Sequence, residues 1–149
     1  MNTQLWLRAA LLSLTCLGAS VAQAEDLLLG DIKAQGATQL SGTELKKLMD
    51  GASITRKTAN GSTQNWTHDP DGKMMVGSDR KGNVSLNFKT TSFPGTWSSN
   101  ENGTYCVNIE YPSKTENWCH FVFKAGDQYY FVKSPNNNAD PVKPFSVGH

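Results

Sequence analysis

From residue 53 onward the chain is interrupted at short intervals by reversal signals, and this spacing constrains its fold more than any other feature. Asn60-Gly61 and Asn102-Gly103 each join two residues that tolerate positive φ, as a tight hairpin requires. Asp69-Pro70-Asp71-Gly72, Arg80-Lys81-Gly82-Asn83 and Gly126-Asp127 mark further reversals. Between them lie short β-prone stretches: Ser53 to Ala59, Ser62 to His68, Lys73 to Ser78, Val84 to Lys89, Gly95 to Ser99, Thr104 to Tyr111, Asn117 to Lys124 and Gln128 to Lys133. Pro144 to Val147 follows the Asn-rich loop Pro135 to Asp140 and reads as a closing strand. Val84, Leu86 and Phe88 alternate with polar neighbours, the period of a strand with one buried face. Successive hairpins of this kind predict an all-β, mainly antiparallel fold, a small up-and-down barrel or barrel-like sheet of about eight strands. Closure would also remove exposed strand edges.

One short helix is predicted ahead of the strands, over residues 41–50. Ser41-Gly42-Thr43-Glu44 is a capping box, in which hydroxyl and carboxylate each satisfy a backbone amide of the first turn. Leu45, Leu48 and Met49 form its apolar stripe, and Gly51 terminates it. So short a helix is marginal alone, so its stripe is expected to pack over one end of the barrel.

The first 24 residues read differently. Arg8 and the amino terminus are positive, Ala9 to Ala19 is largely apolar, and Ala22-Gln23-Ala24 places small residues where a signal peptidase cuts. A span across a bilayer needs about 20 predominantly apolar residues, more than this run supplies. The expected organisation is a signal peptide over 1–24, cleaved after Ala24, and one mature β domain over 25–149 with strands between 53 and 147. That implies an exported protein, periplasmic or secreted, with no transmembrane anchor in the mature chain.

Cleavage changes the chemistry of what remains. It removes Arg8 from a total of 14 Lys and Arg against 13 Asp and Glu, leaving balanced charge. A basic face of the kind that binds nucleic acid is therefore not expected. It also removes Cys16, leaving Cys106 and Cys119, which in an oxidising compartment read as one disulfide. Closing a loop of this length stabilises a fold by about 3 kcal/mol.

With Cys106 opposite Cys119, Asn108 and Glu110 share a face with Phe121 and Phe123, while Tyr105, Val107, Ile109 and Tyr111 share the other with Trp118, His120 and Val122. Neither face is cleanly polar. A β-bulge that switches one strand's parity would resolve the conflict. Alternatively the hairpin carries an aromatic patch or polar-lined cavity, with Phe121, Phe123, Trp118, His120 and Trp97 as the candidate ligand or partner surface. Trp66, Trp97 and Trp118 are otherwise expected as core residues or barrel-end plugs.

No Gly-X-Ser-X-Gly elbow, zinc-binding His-Glu-X-X-His helix or phosphate-cradling glycine loop occurs. The sequence points to no catalytic residue, metal or cofactor, and a non-enzymatic role is expected.

The order Leu40-Ser41-Gly42-Thr43-Glu44-Leu45, Pro70-Asp71-Gly72, Gly95-Thr96-Trp97, Asn102-Gly103, Tyr105-Cys106 and Cys119 resembles a domain family of unknown function in small exported proteobacterial proteins. The likeness spans roughly residues 38–147 and implies a bacterial exported protein without supplying an activity. Gly95-Thr96-Trp97 is also similar to the Gly-X-Trp triplet that closes the barrel bottom in lipocalins, although here it falls mid-chain rather than on the first strand. Two roles follow as expectations. One is a binding protein acting by surface contact with an unknown protein partner, in the manner of inhibitor or immunity proteins. The other is a lipocalin-like carrier of a small apolar ligand in the barrel mouth, for which a cavity lined by Trp97, Trp118 and Phe88 would speak.

Overall fold

A computed structural model describes residues 26–58, 61–79 and 91–149. The expected signal segment 1–24, Asn60, the turn expected at 80–83 and the strand expected at 84–89, with Phe88, lie outside the described residues. In chain order the elements are α1 (Leu29–Ala34), β1 (Thr38–Gln39), α2 (Gly42–Met49), β2 (Ser53–Lys57), β3 (Thr63–His68), β4 (Lys73–Asp79), β5 (Thr91–Ser99), β6 (Thr104–Tyr111), β7 (Lys114–Ala125), β8 (Gln128–Val132) and β9 (Lys143–Gly148).

Strands β2 to β9 pair antiparallel with their chain neighbours, and β9 pairs back onto β2. The result is the expected up-and-down barrel, closed with eight strands in its ring. Every ladder keeps one register along its length. Carried once around the ring through those registers, a row of partners starting at Val76 returns to the line of β4 displaced by twelve residues. The strands are therefore strongly tilted. A ring of roughly eight strands is just wide enough for side chains to fill or for one small ligand to enter.

Helix α2 forms as its cap dictates. Ser41 Oγ accepts from the Glu44 amide at 3.3 Å, and Glu44 Oε2 accepts from the Ser41 amide at 2.8 Å. Leu45 and Met49 are fully buried in the main core, beside Ile54, Met74 and Trp97. Gly42 lies against the Asn100 carbonyl with no room for a Cβ, so α2 sits directly on the β5–β6 turn. It covers the barrel end that carries the turns 69–72 and 100–103.

Helix α1 and strand β1 were not expected. The helix is six residues long and starts without a capping hydroxyl; Asp31 instead accepts from the Leu28 amide at 2.9 Å. It is fastened by tertiary contacts: the Leu29 amide donates to the Asp140 carbonyl at 2.9 Å, and the Val142 amide to that of Leu27 at 2.8 Å. Leu29 and Ile32, both fully buried, form a second core with Phe123, Tyr130, Val132 and Val142 on the outer surface of β7 and β8. Burying each such aliphatic side chain contributes roughly 1.5–3 kcal/mol.

That second core resolves the β6–β7 hairpin. The ladder runs regularly from Thr104↔Phe121 through Cys106↔Cys119 to Tyr111↔Lys114, so the expected bulge is absent. Tyr105, Val107, Ile109, Trp118, His120 and Val122 face the barrel interior. Phe121 and Phe123 face outward beneath α1, where Lys33 lies over the Phe123 ring at 5.8 Å. Phe123 is only 3% exposed, so an open Phe121/Phe123 patch does not exist. The inner face is aromatic because it faces the core, and the outer face is aromatic only at its Phe121–Phe123 end, where α1 packs on it.

Candidate functional site

The two ends of the interior differ in chemistry. At the α2 end Trp97 plugs the barrel, its Nε1 donating to the Asp69 carbonyl at 2.9 Å. Gly95, two residues earlier, has no room for a side chain: a Cβ there would lie 2.5 Å from the Asn108 carbonyl. The Gly-X-Trp triplet thus closes a barrel end from β5. Above Trp97, His68 Nδ1 lies 2.9 Å from the Ala52 carbonyl and Nε2 lies 2.6 Å from the Tyr105 hydroxyl. A carbonyl only accepts, so Nδ1 carries the proton and Nε2 accepts from Tyr105. Burial lowers the His68 pKa below its ordinary value, and raises that of Tyr105, so both stay neutral.

Toward the other end, inward-facing positions turn polar. Arg56 on β2 donates from Nε to Gln64 Oε1 of β3 at 2.9 Å, and its guanidinium lies over the Trp66 ring at 4.8 Å. Glu116 acts on Arg56 electrostatically, yet among the described residues Arg56 forms no ion pair. Burial lowers the Arg56 pKa below its ordinary value, and Glu116 opposes that effect. Glu116 itself pairs with Lys114 at 3.6 Å. Lys143 and Lys133 stand exposed at inward-facing positions of the rim.

Between these layers lies a cluster of rings. Trp118 meets Trp66, Tyr105 and Phe131 edge-on, with centroids 5.7–6.5 Å apart, and His120 at 4.7 Å. Phe131 stacks on Phe145 at 4.0 Å. Two nitrogens in this cluster, Trp66 Nε1 and His120 Nδ1, are buried without a hydrogen-bond partner. Burial, assisted by Lys143, Arg56 and Lys133, pushes the His120 pKa down to about 4. At neutral pH it is an uncharged ring.

The residues expected to form one surface are therefore divided. Trp118 and His120 lie together in the interior, Trp97 plugs the α2 end against His68 at 5.4 Å, and Phe121 and Phe123 lie on the outer face under α1. Cys106 and Cys119 are joined on the outer face as expected. Arg56, Gln64 and Glu116 are not among the candidate residues that the sequence offers. The signal for Arg56 was its position: it alternates with Ala52 and Ile54, both fully buried, and so continues an inward row.

Concavities bordered by described residues lie outside the barrel. A groove of about 730 Å³ runs between α2 and the β5–β6 turn, bordered by Ser41, Lys46, Lys47, Asp50, Asn100 and Glu101. Its charges are mixed and the Ser41 hydroxyl is already engaged by Glu44. A hollow of about 260 Å³ lies beside the disulfide and is bordered by Trp97 and Trp118. Those two indoles turn their rings inward instead, so the hollow is not the Trp-lined interior cavity expected of a carrier.

Among the described residues no group of acidic, His or Cys side chains is arranged to hold a metal ion, and no helix is long and apolar enough to cross a membrane. Compared with family models, curated proteins and solved structures, the chain matches none of them.

Proposed function

We propose that the chain is an exported binding protein that takes a small molecule into the end of its barrel away from α2. One observation carries this reading: the interior is asymmetric. The α2 end is closed by Trp97, Leu45 and Met49, while the other end directs Arg56, Gln64, Trp118 and His120 inward around two unsatisfied nitrogens. A fold that needed only stability would gain nothing from an arginine and unpaired polar atoms there, because burying such groups costs free energy. Concave, mostly aromatic sites with a few convergent polar groups are the usual form of small-molecule sites. Lipocalins hold one small ligand in eight-stranded barrels of this general kind. The Cys106–Cys119 bridge and the signal-like segment support an oxidising, extracytoplasmic location.

Surface contact through Phe121 and Phe123 is the weaker reading, since Phe123 is buried beneath α1 and Phe121 is partly buried beside it. The test is to purify the 25–149 protein from the cell envelope fraction under native conditions, extract it, and analyse the extract by mass spectrometry. A stoichiometric small molecule that is lost from a His120→Phe variant supports the reading. An empty wild-type barrel that also binds no member of a diverse fragment library contradicts it.

A further inference from the structure

The geometry points to the chemical class of the ligand: a small carboxylate with an apolar body, its carboxylate gripped by Arg56 and Trp66 Nε1 beside His120. This rests on the proposed small-molecule role of the barrel. Trp66 is 2% exposed, and its Nε1 has no partner. An indole N–H can only donate, and so can a guanidinium. Whatever satisfies the two must bring acceptor oxygens. Arg56 is also a cation without an ion-pair partner among the described residues, and Gln64 occupies only its Nε. A water can accept from Trp66 but brings no negative charge to Arg56; a carboxylate brings both.

The shape agrees. The Arg56 guanidinium lies over the same indole whose nitrogen is unpartnered, 4.8 Å from the ring centroid. The planar guanidinium fork matches the two oxygens of a carboxylate, in a geometry that lysine cannot reproduce. Trp118 and Phe131 both border Trp66 and both border His120, so the unpartnered nitrogens share one aromatic surround. Those rings would border the apolar body of such a ligand. Lys133 and Lys143 at the rim raise the local concentration of anions, opposed within the mouth by Glu116, which Lys114 already engages.

The experiment titrates the oxidised 25–149 protein with phenylacetate and octanoate, and with their uncharged amides, by calorimetry. Each acid is expected to bind at least about tenfold more tightly than its amide. Arg56→Gln is expected to bring acid and amide within roughly twofold, and Arg56→Lys to retain part of the preference while losing the fork. Because Arg56→Lys keeps the charge, it separates recognition from a failure of Arg56→Gln to fold. Equal binding of acids and amides by the wild type overturns the carboxylate inference and leaves the barrel-binding role standing. So does an acid preference that survives in Arg56→Gln. No binding of any of the four by the wild type, up to about millimolar concentration, overturns the carboxylate inference, and the native extraction then decides the barrel-binding role.

Discussion

The Tyr105 hydroxyl donates to His68 Nε2 across 2.6 Å, inside the barrel and with both residues about 1% exposed. This bond ties β6 to β3, strands that are not neighbours in the ring, through the centre of the molecule. The Ala52 carbonyl holds the opposite side of the imidazole, so the tautomer is set. Tyr105→Phe leaves a buried acceptor unpaired and should lower stability by about 1–3 kcal/mol. Urea denaturation measures the loss, and nitrogen chemical shifts of His68 should show a neutral ring protonated at Nδ1.

Acid should destabilise the fold in a window set by the interior histidines. His120 is held at about 4, against an ordinary value of 6.5. The groups facing it are Tyr105, Arg56, Lys133 and Lys143, and the cations among them work in the same direction as burial. Since the unfolded chain binds the proton more readily, stability is complete above about pH 6.5 and declines as pH falls toward 4. His68, also lowered by burial, adds with the same sign. Such a shift on a dry group would be worth about 3 kcal/mol, reduced to roughly 1–2 by the water that reaches this ring. Thermal melts from pH 7.5 to 4 should therefore show a falling midpoint, and His120→Gln should flatten part of that slope.

Replacing Cys106 and Cys119 by serine should cost about 3 kcal/mol while leaving the barrel closed. The bridge joins two strands already paired over eight positions, so it restrains the unfolded chain more than it shapes the folded one. Equilibrium unfolding of the double variant against the oxidised protein reads the difference. Far-UV circular dichroism should be unchanged.

The segment before β1 should matter far more than its length suggests. Leu29→Ala and Ile32→Ala each remove a fully buried side chain from the outer core and should cost about 2–5 kcal/mol. Because Phe121, Phe123 and Tyr130 lose their cover, both variants should also bind an apolar dye more strongly than the wild type. Unchanged stability would mean that α1 does not pack as described.

The strands were legible because turn chemistry is local: Gly72 and Gly103 take positive φ, 86° and 80°, where Asp-Gly and Asn-Gly stood in the sequence. The α2 cap was legible for the same reason, since Ser41 and Glu44 are three residues apart and make their bonds with each other. Helix α1 was not, because its ties run to Asn138, Asp140 and Val142, more than a hundred residues away. Without it, Phe121 and Phe123 read as an exposed face, and the hairpin seemed to need a bulge. Arg56 was obscure in the same way: its neighbours are set by the register of the ring, which brings it over Trp66 from an adjacent strand.

The indole protons of the three tryptophans in residues 25–149 report directly on the barrel interior. Trp97 already donates to Asp69, whereas Trp66 has no partner. In a proton–nitrogen correlation spectrum titrated with phenylacetate, the Trp66 indole resonance should move downfield and saturate while that of Trp97 stays in place. A stationary Trp66 resonance, with shifts confined instead to the groove between α2 and the β5–β6 turn, would contradict the account.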